Sequence, residues 1–304
     1  MKVHSPVTGN DQVSLVASFP TERIIEAYQK AGITVDRFFK GLPAIGLYEC
    51  NETGYRFYHP ATIFGDAQFY MDLQQTGEGY YPKEKWEHRY CARLIGQQEK
   101  VLEVGAGDGF FLNLLKKKGI DARGLELNPR AVSEANEKGL KMDDETIQHH
   151  AAHHPGEYDV VCSFQVLEHI YDVREYLLAC IAALKTGGKL ILGVPNNNPY
   201  LYKHDEWHTL NLPPHHAGLW SRRAFTSLPA FFDLKEERIV IERLHGDLGQ
   251  YGDWFHVQRE YYRQHKPALY KILSIVPRPF YKLMIRMFSP FIEGRNIIAV
   301  FTKV

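Results

Sequence analysis

The chain has 304 residues, 44% hydrophobic, 24% charged and 13% aromatic, which suits one large domain with additions or two small ones and excludes a disordered or fibrous chain. Lys+Arg and Asp+Glu both number 36, so no global field draws in nucleic acid, and no nucleic-acid partner is expected. Cys50, Cys91, Cys162 and Cys180 show no paired spacing, "MKVHSPVTGND" has no apolar h-region and no uncharged run reaches membrane-span length, so a cytoplasmic protein with reduced thiols is expected.

Residues 1–82 are rich in aromatics, Gly and Pro. One helix is predicted there, over "TERIIEAYQKAG", with Thr21 as its cap and Gly32 as its end. Two short stretches flank it. In "SPVTGN", Ser5 and Thr8 stand before Gly9; in "YECNETGYRFYHP", Cys50 and Thr53 stand before Gly54. Both have the spacing of a zinc knuckle, Cys-x-x-Cys-Gly, but hold one thiol between them. Structural zinc takes four ligands, so no metal is expected, even with His4 and His59 nearby. "IGLYEC" and "YRFYHP" alternate aromatics as the two strands of a hairpin would.

From Lys83 to about Asn196, strand and helix patterns alternate. "KVLEVGAG", "DARGLEL", "YDVVCSF" and "KLILGVPN" read as strands. "DGFFLNLLKKKG", "RAVSEANEKG" and "DVREYLLACIAALKTGG" read as helices, the second opened by an Asn128 cap and Pro129. This rhythm predicts an α/β fold built on a doubly wound, mainly parallel sheet. "HHAAHHP" is expected to be a solvated loop, and "KEERIVIERL" and "NIIAVFTKV" the last two strands.

In "VLEVGAGDGFF", Gly105, Gly107 and Gly109 turn a strand into a helix and let a ligand approach the backbone closely. A dinucleotide loop needs a small residue where Phe110 stands, which disfavours a nicotinamide-dependent oxidoreductase. Glu103 precedes the first glycine. Glu126 ends the next strand, where a carboxylate can accept both hydroxyls of a ribose.

These three features, with "FQVLEHI" after the fourth strand, resemble the class I S-adenosylmethionine-dependent methyltransferases over residues 83 to 243. The resemblance implies a Rossmann-like seven-stranded methyltransferase sheet, with "NIIAVFTKV" as its antiparallel last strand, and S-adenosyl-L-methionine as cofactor. It implies that Glu103 and the backbone of Gly105, Ala106 and Gly107 hold the methionine end, with Gly109 completing the loop. By the same resemblance Glu126 holds the ribose, Leu127 lies against the adenine, Asp143 or Asp144 approaches its amino group, and Gln165 lines the methionine side. The layout of the N-terminal module is similar to that of sugar methyltransferases that carry a zinc ribbon there, which implies a ribbon-like module that has lost its metal. "GEGYYPKEKWEH" is expected over the cofactor entrance, with Tyr80 and Tyr81 touching cofactor or substrate.

A histidine near the methyl would serve as general base. Glu168 and His169 of "LEHI" are candidates, against the alternative that the pair only orients its loop. His215 and His216 follow two prolines in a lid expected over 197–224, where Trp207 and Trp220 are expected to stack on an acceptor. A metal held among His204, Asp205, Glu206, His208, His215 and His216 is the lesser reading, since their spacing matches no compact motif. The expected substrate is a small or carrier-linked metabolite, with a sugar in glycan or secondary-metabolite biosynthesis as best candidate. A non-catalytic, cofactor-binding scaffold is the alternative. A helical insertion is expected over 245–294. Its segment 266–293 mixes large apolar residues with cations from Lys266 to Arg286, which suits peripheral membrane contact, a homodimer interface or packing on its own domain.

Overall fold

A computed structural model describes residues 2–75, 85–197, 207–244 and 250–304. Tyr80, Tyr81, His204, Asp205 and Glu206, named above, lie outside the described residues.

Two sheets form. The first comprises β1 (Val13–Pro20), β2 (Ala44–Cys50), β3 (Arg56–His59) and, from much later in the chain, β9 (Gly218–Leu219), in the order β1-β2-β3-β9 and antiparallel throughout. The aromatic hairpin is as the alternation predicts, with Leu47 opposite Tyr58 and Tyr48 opposite Phe57. Around it lie α1 (Thr21–Lys30) and α2 (Ala67–Gln75), while α3 (Trp86–Cys91) packs on the second sheet, with Cys91 beside Val101, Phe111 and Val160. Thr21 does not cap α1. It is the first helical residue, and its hydroxyl donates to the Leu42 carbonyl at 2.5 Å.

The two knuckle-like turns face each other. Gly9 and Gly54 take φ of 78° and 70°, and their N–H groups close the turns onto the carbonyls of Ser5 and Cys50. Thr8 Oγ1 lies 4.0 Å from Cys50 Sγ, and Ser5, Cys50 and Thr53 are buried. Burial pushes the Cys50 thiol up, but hydrogen bonds from the hydroxyls of Ser5 and Thr53 and the backbone of Thr53 and Glu52 together hold it below its ordinary value. The hydroxyls of Ser5, Thr8 and Thr53 thus gather round the one thiol of the two turns.

The second sheet holds β4 (Val101–Val104), β5 (Ala122–Leu125), β6 (Met142–Asp143), β7 (Tyr158–Phe164), β8 (Leu184–Pro195), β10 (Leu234–Arg243) and β11 (Glu293–Lys303). Its order is β6-β5-β4-β7-β8-β11-β10; β4 to β8 are parallel, and β11 runs antiparallel to both its neighbours. Strands β4 and β7 are central, which is why "VLEV" and "YDVVCSF" are apolar almost throughout. The crossovers run through α4 (Phe110–Lys117), α5 (Pro129–Glu137), α6 (Ile147–His153) and α7 (Val173–Ala183), each burying one stripe. Asn128 caps α5 as expected, accepting from the N–H groups of Arg130 and Ala131.

Two expectations fail locally. "HHAAHHP" is mostly helical: Thr146 caps α6, and His150 is buried between Glu145 and the Tyr158 hydroxyl. Helix α7 stops at Ala183, because Leu184 already pairs with Tyr158 in β8. Beyond the sheet, α8 (Arg222–Ser227) precedes β10, and α9 (Gln250–His265), α10 (Pro267–Ile275) and α11 (Arg278–Phe288) fill the connection from β10 to β11.

The first sheet is bolted to the second. Val7, Tyr55 and Phe57 share one core with Leu102, Trp220 and Phe225. Trp220 is fully buried, with Tyr55 at 4.5 Å and Phe225 stacked at 4.8 Å between ring centroids. Gly218 sits where Tyr55 leaves no room: an added Cβ would stand 1.7 Å from the Tyr55 hydroxyl oxygen. Gly218→Ala is therefore expected to destabilise the fold by about 1–3 kcal/mol, read as a lower denaturant midpoint at unchanged slope.

Candidate active site

The parallel strands all end at one edge of the second sheet, and the candidate residues gather there. At the end of β4, Gly105, Gly107 and Gly109 take φ of 75°, 54° and 76°. The N–H groups of Gly105 and Ala106 both donate to the Leu125 carbonyl, at 2.8 and 3.0 Å, which ties the loop to β5. A Cβ on Gly105 would lie 2.3 Å from Val166 Cγ2, so only glycine lets the loop after β7 close over it.

Glu126 holds the loop from the other side. Its Oε2 accepts from the Gly107 N–H at 2.9 Å, and its Oε1 accepts from the N–H groups of Leu127 and Asn128 at 2.9 and 3.0 Å. Leu127 beside it is 65% exposed, an apolar platform at a polar edge. Asp143 is engaged by Arg123, and its carbonyl accepts from the Glu126 N–H. Asp144, one residue on, is exposed at the strand end.

Glu103 is buried, and its Oε2 has no hydrogen-bond partner. Burial holds its carboxyl well above the usual range, opposed by the Lys85 charge. A buried acid with an open oxygen fits an ammonium ligand such as the α-amino group of the expected cofactor. Gln165, at the end of β7, is the one non-glycine residue with positive φ, 59°, among the described residues. Its amide donates to Glu87 Oε1 at 3.0 Å and to Asn296 Oδ1 at 3.3 Å, and Asn296 in turn donates to Glu242 Oε2 at 2.9 Å. Strain of this kind concentrates at functional positions.

Lys85, Glu87, Asn296 and Glu242 were not picked out from the sequence. Glu87 is buried, burial raises its carboxyl, and its Oε2 lacks a partner. Lys85 acts electrostatically on Glu87, Glu103 and Glu168 alike, so one cation serves three buried acids. Nothing in "KEKWEH" sets it apart from a solvated charge run.

The structure brings His169, His215 and His216 together. The rings of His215 and His216 stack at 4.6 Å, His169 lies 5.0 Å from each, and one nitrogen from each ring falls within 4.8 Å of the others. His169 Nδ1–H donates to the His215 carbonyl at 2.6 Å, which the Tyr70 hydroxyl also reaches at 3.2 Å. That fixes Nε2 as the ring's free lone pair, 3.8 Å from Glu168 Oε1. Burial lowers His169 to about 4 and drives His215 and His216 well below their ordinary value. Burial raises Glu168 to about 8, and its Oε2 has no partner. At neutral pH the cluster is thus three neutral imidazoles beside a protonated acid.

The loop that carries His215 and His216 is held by the first sheet. Tyr28 and Tyr58 donate their hydroxyls to the carbonyls of Leu212 and Asn211, at 3.0 and 2.9 Å. Gly65 N–H donates to the Pro214 carbonyl, and Tyr58 N–H to that of Ala217. Two expectations are corrected here. Trp220 cannot stack on an acceptor because it is core, and Trp207 already carries the Arg23 guanidinium 3.6 Å over its ring and Phe19 at its edge. Among the proposed metal ligands, His208 instead accepts the Leu210 N–H.

A family model described as "Methyltransferase domain" matches residues 80–235. Ubiquinone biosynthesis O-methyltransferase of Klebsiella pneumoniae is 34% identical over 106 residues, 33% of this chain and 44% of that protein; the Escherichia coli protein of the same name is 36% identical over the same shares. The chain thus spans less than half the length of these relatives. A SAM-dependent methyltransferase from Archaeoglobus fulgidus superposes at TM-score 0.51 and 15% identity, covering 78% of this chain and all of the other. The PH0226 protein from Pyrococcus horikoshii superposes at 0.50 and 11%, covering 79% and 100%. These two show the fold.

Two outcomes follow. Gly105→Ala is expected to weaken calorimetric S-adenosylhomocysteine binding by at least about 100-fold, because the loop must shift off Val166 or pay about 1–3 kcal/mol of backbone strain as well. Glu168 yields a pH effect. The folded state keeps its proton up to about 8, while the unfolded carboxyl releases it near 4.5. Its contribution to stability is therefore greatest below 4.5 and is lost as pH rises through 8. Above pH 7 the histidines are neutral in both states, so between about pH 7 and 9 the wild type should lose roughly 1 kcal/mol relative to Glu168→Gln, by thermal unfolding.

Proposed function

The chain belongs to the methyltransferase-domain family, and from that premise we propose that it transfers the methyl group of S-adenosyl-L-methionine to a hydroxyl of a small or carrier-linked metabolite, with a sugar as the best candidate. The cofactor supplies an activated methyl on a sulfonium with a neutral leaving group. The protein's residues then have two tasks, alignment and proton removal, worth about 7–11 kcal/mol and about 10²–10⁴-fold respectively.

For alignment, Glu103 and the backbone of Gly105 to Gly107 receive the methionine end, with Lys85 placed to meet its carboxylate. Glu126 takes the ribose, Leu127 the adenine, Asp144 its amino group, and Gln165 the methionine side. For proton removal, the observation that carries the reading is the histidine cluster. Val166, three residues before His169, lies against Gly105 of the glycine loop, which supports a cluster beside the methionine end of the pocket. His169 Nε2 and His216 are neutral bases there, and His215 supports both. The relatives are named for O-methylation, which supports oxygen as the acceptor atom. The paired knuckle-like turns support the sugar.

The test is transfer of labelled methyl from S-adenosyl-L-methionine to nucleotide-linked, lipid-linked and phenolic hydroxyl acceptors. His216→Ala should lower kcat by about 10²–10⁴-fold with cofactor affinity within about twofold. Because burial holds these imidazoles below their ordinary value, kcat/KM should stay flat as pH falls from about 8 to 5.5, with no limb near 6.5. Cofactor binding without transfer to any hydroxyl, or full turnover in both His169→Ala and His216→Ala, would overturn the reading.

A further inference from the structure

The connection between β10 and β11 exposes apolar surface on a scale found nowhere else in the described residues. Of the fifteen large apolar side chains exposed there, nine fall between Leu269 and Phe291. Ile275 is 82% exposed and Phe291 80%. Contiguous apolar surface of this kind marks an interaction site rather than scattered surface residues.

The pattern on α11 is ordered. Tyr281 and Ile285 are buried, at i and i+4, and pack with Leu244 and against Trp254 and Phe255 of α9, and Ser289, just past the helix end, is buried in the same row. Phe280, Leu283, Met284, Met287, Phe288 and Phe291 follow the i, i+3, i+4, i+7, i+8, i+11 series and stay exposed. Arg278, Lys282 and Arg286 occupy a third row, on the other flank of the buried one. The helix thus has one face docked, one face apolar and open, and one flank cationic. A helix of this kind lies in the plane of a lipid interface, its apolar face among acyl chains and its long cationic stems reaching to headgroups.

Charge decides between a bilayer and a second copy. The chain as a whole is neutral, yet residues 266–292 hold five cations and no acid. None of the five pairs with a carboxylate among the described residues. Isologous pairing would set this patch against its own like charges, whereas an anionic lipid surface complements it. No helix among the described residues is long and apolar enough to cross a membrane, so the contact would be peripheral.

Position ties the patch to the site. β10 ends and β11 begins at the edge where the parallel strands end: Arg243 pairs with Glu293, and Asn296 with Pro195. The same Asn296 accepts from Gln165. The helices therefore spring from the rim of the cofactor pocket.

We propose that α10 and α11 form a docking surface for an anionic membrane, which presents the pocket rim to the lipid interface and selects a lipid-linked acceptor. The acceptor clause rests on the methyl-transfer reading. Docking does not, and it is read without turnover.

The experiment is flotation of the full chain with vesicles of phosphatidylcholine alone or mixed with phosphatidylglycerol. Binding is expected to the mixed vesicles only and to weaken with salt. Lys282→Glu/Arg286→Glu should lower it by at least about tenfold, since each basic residue near an anionic surface contributes about 1 kcal/mol. Phe288→Ser/Phe291→Ser should abolish it. Both pairs are exposed, so S-adenosylhomocysteine affinity should stay unchanged and report an intact fold. Absence of binding to mixed vesicles overturns the proposal, as does equal binding to neutral ones. So does a dimer in analytical ultracentrifugation that Phe288→Ser/Phe291→Ser dissolves, which would assign the face to a second copy.

Discussion

The site depends on one short piece of strand pairing. β9 is two residues long, and it adds to β3 so that Arg56 faces Leu219 and Phe57 faces Gly218. That pairing, with the hydroxyls of Tyr28 and Tyr58, helps to fix the loop that carries the two histidines. His215 and His216 sit immediately before β9. An imidazole acts at a fixed position only if its backbone is fixed, and here the first sheet shares that task with the loop after β7, whose Glu168 carbonyl accepts from the Ala217 N–H and whose His169 donates to the His215 carbonyl. This gives the N-terminal module a physical task. Its knuckle-like turns close on hydroxyls, its hairpin packs on aromatics, and its last strand is borrowed from the loop it supports.

Burial sets the electrostatics of the pocket. Glu87, Glu103 and Glu168 are all held above the ordinary carboxylate range by desolvation, and His169, His215 and His216 below theirs. A cluster of this size avoids charge by holding or releasing protons, and the open oxygens of the three acids are among its remaining costs. Lys85 is the cation that acts on all three. Ligand groups of the right charge would satisfy oxygens that the protein leaves open, which gives the pocket a basis for affinity.

The methyltransferase sheet was legible because its signals are local: apolar runs of strand length, glycines at a strand-to-helix turn, an acid at the next strand end, an Asn-Pro helix start. So were the candidate histidines, as residue types on a loop. Their meeting was not, since His169 and His215 come from separate loops brought together by long-range pairing. Lys85 and Glu87 were missed because a buried acid and its cation read the same in sequence as a solvated charge run. Trp207 and Trp220 went the other way. Their aromatic surface is used by the fold, Trp220 against Tyr55 and Phe225 and Trp207 under Arg23, and a sequence does not say which side of a loop is wet. Thr21 and the "HHAAHHP" helix failed at boundaries, where a single hydrogen bond decides the outcome.

The position of β11 has a consequence for the order in which the chain folds. β8 is complete at Pro195, but its outer partner is β11, whose pairing begins at Asn296, roughly a hundred residues later. β10 reaches the same sheet first and finds no neighbour to bond, because β11 must enter between it and β8. During synthesis one edge of β8 stays open while the helices of the connection are made. An open edge is a template for wrong pairing. The edge that waits is Lys189–Pro195, an apolar run with one lysine at its start, so the stretch of β8 most open to wrong pairing is the one that β11 later covers.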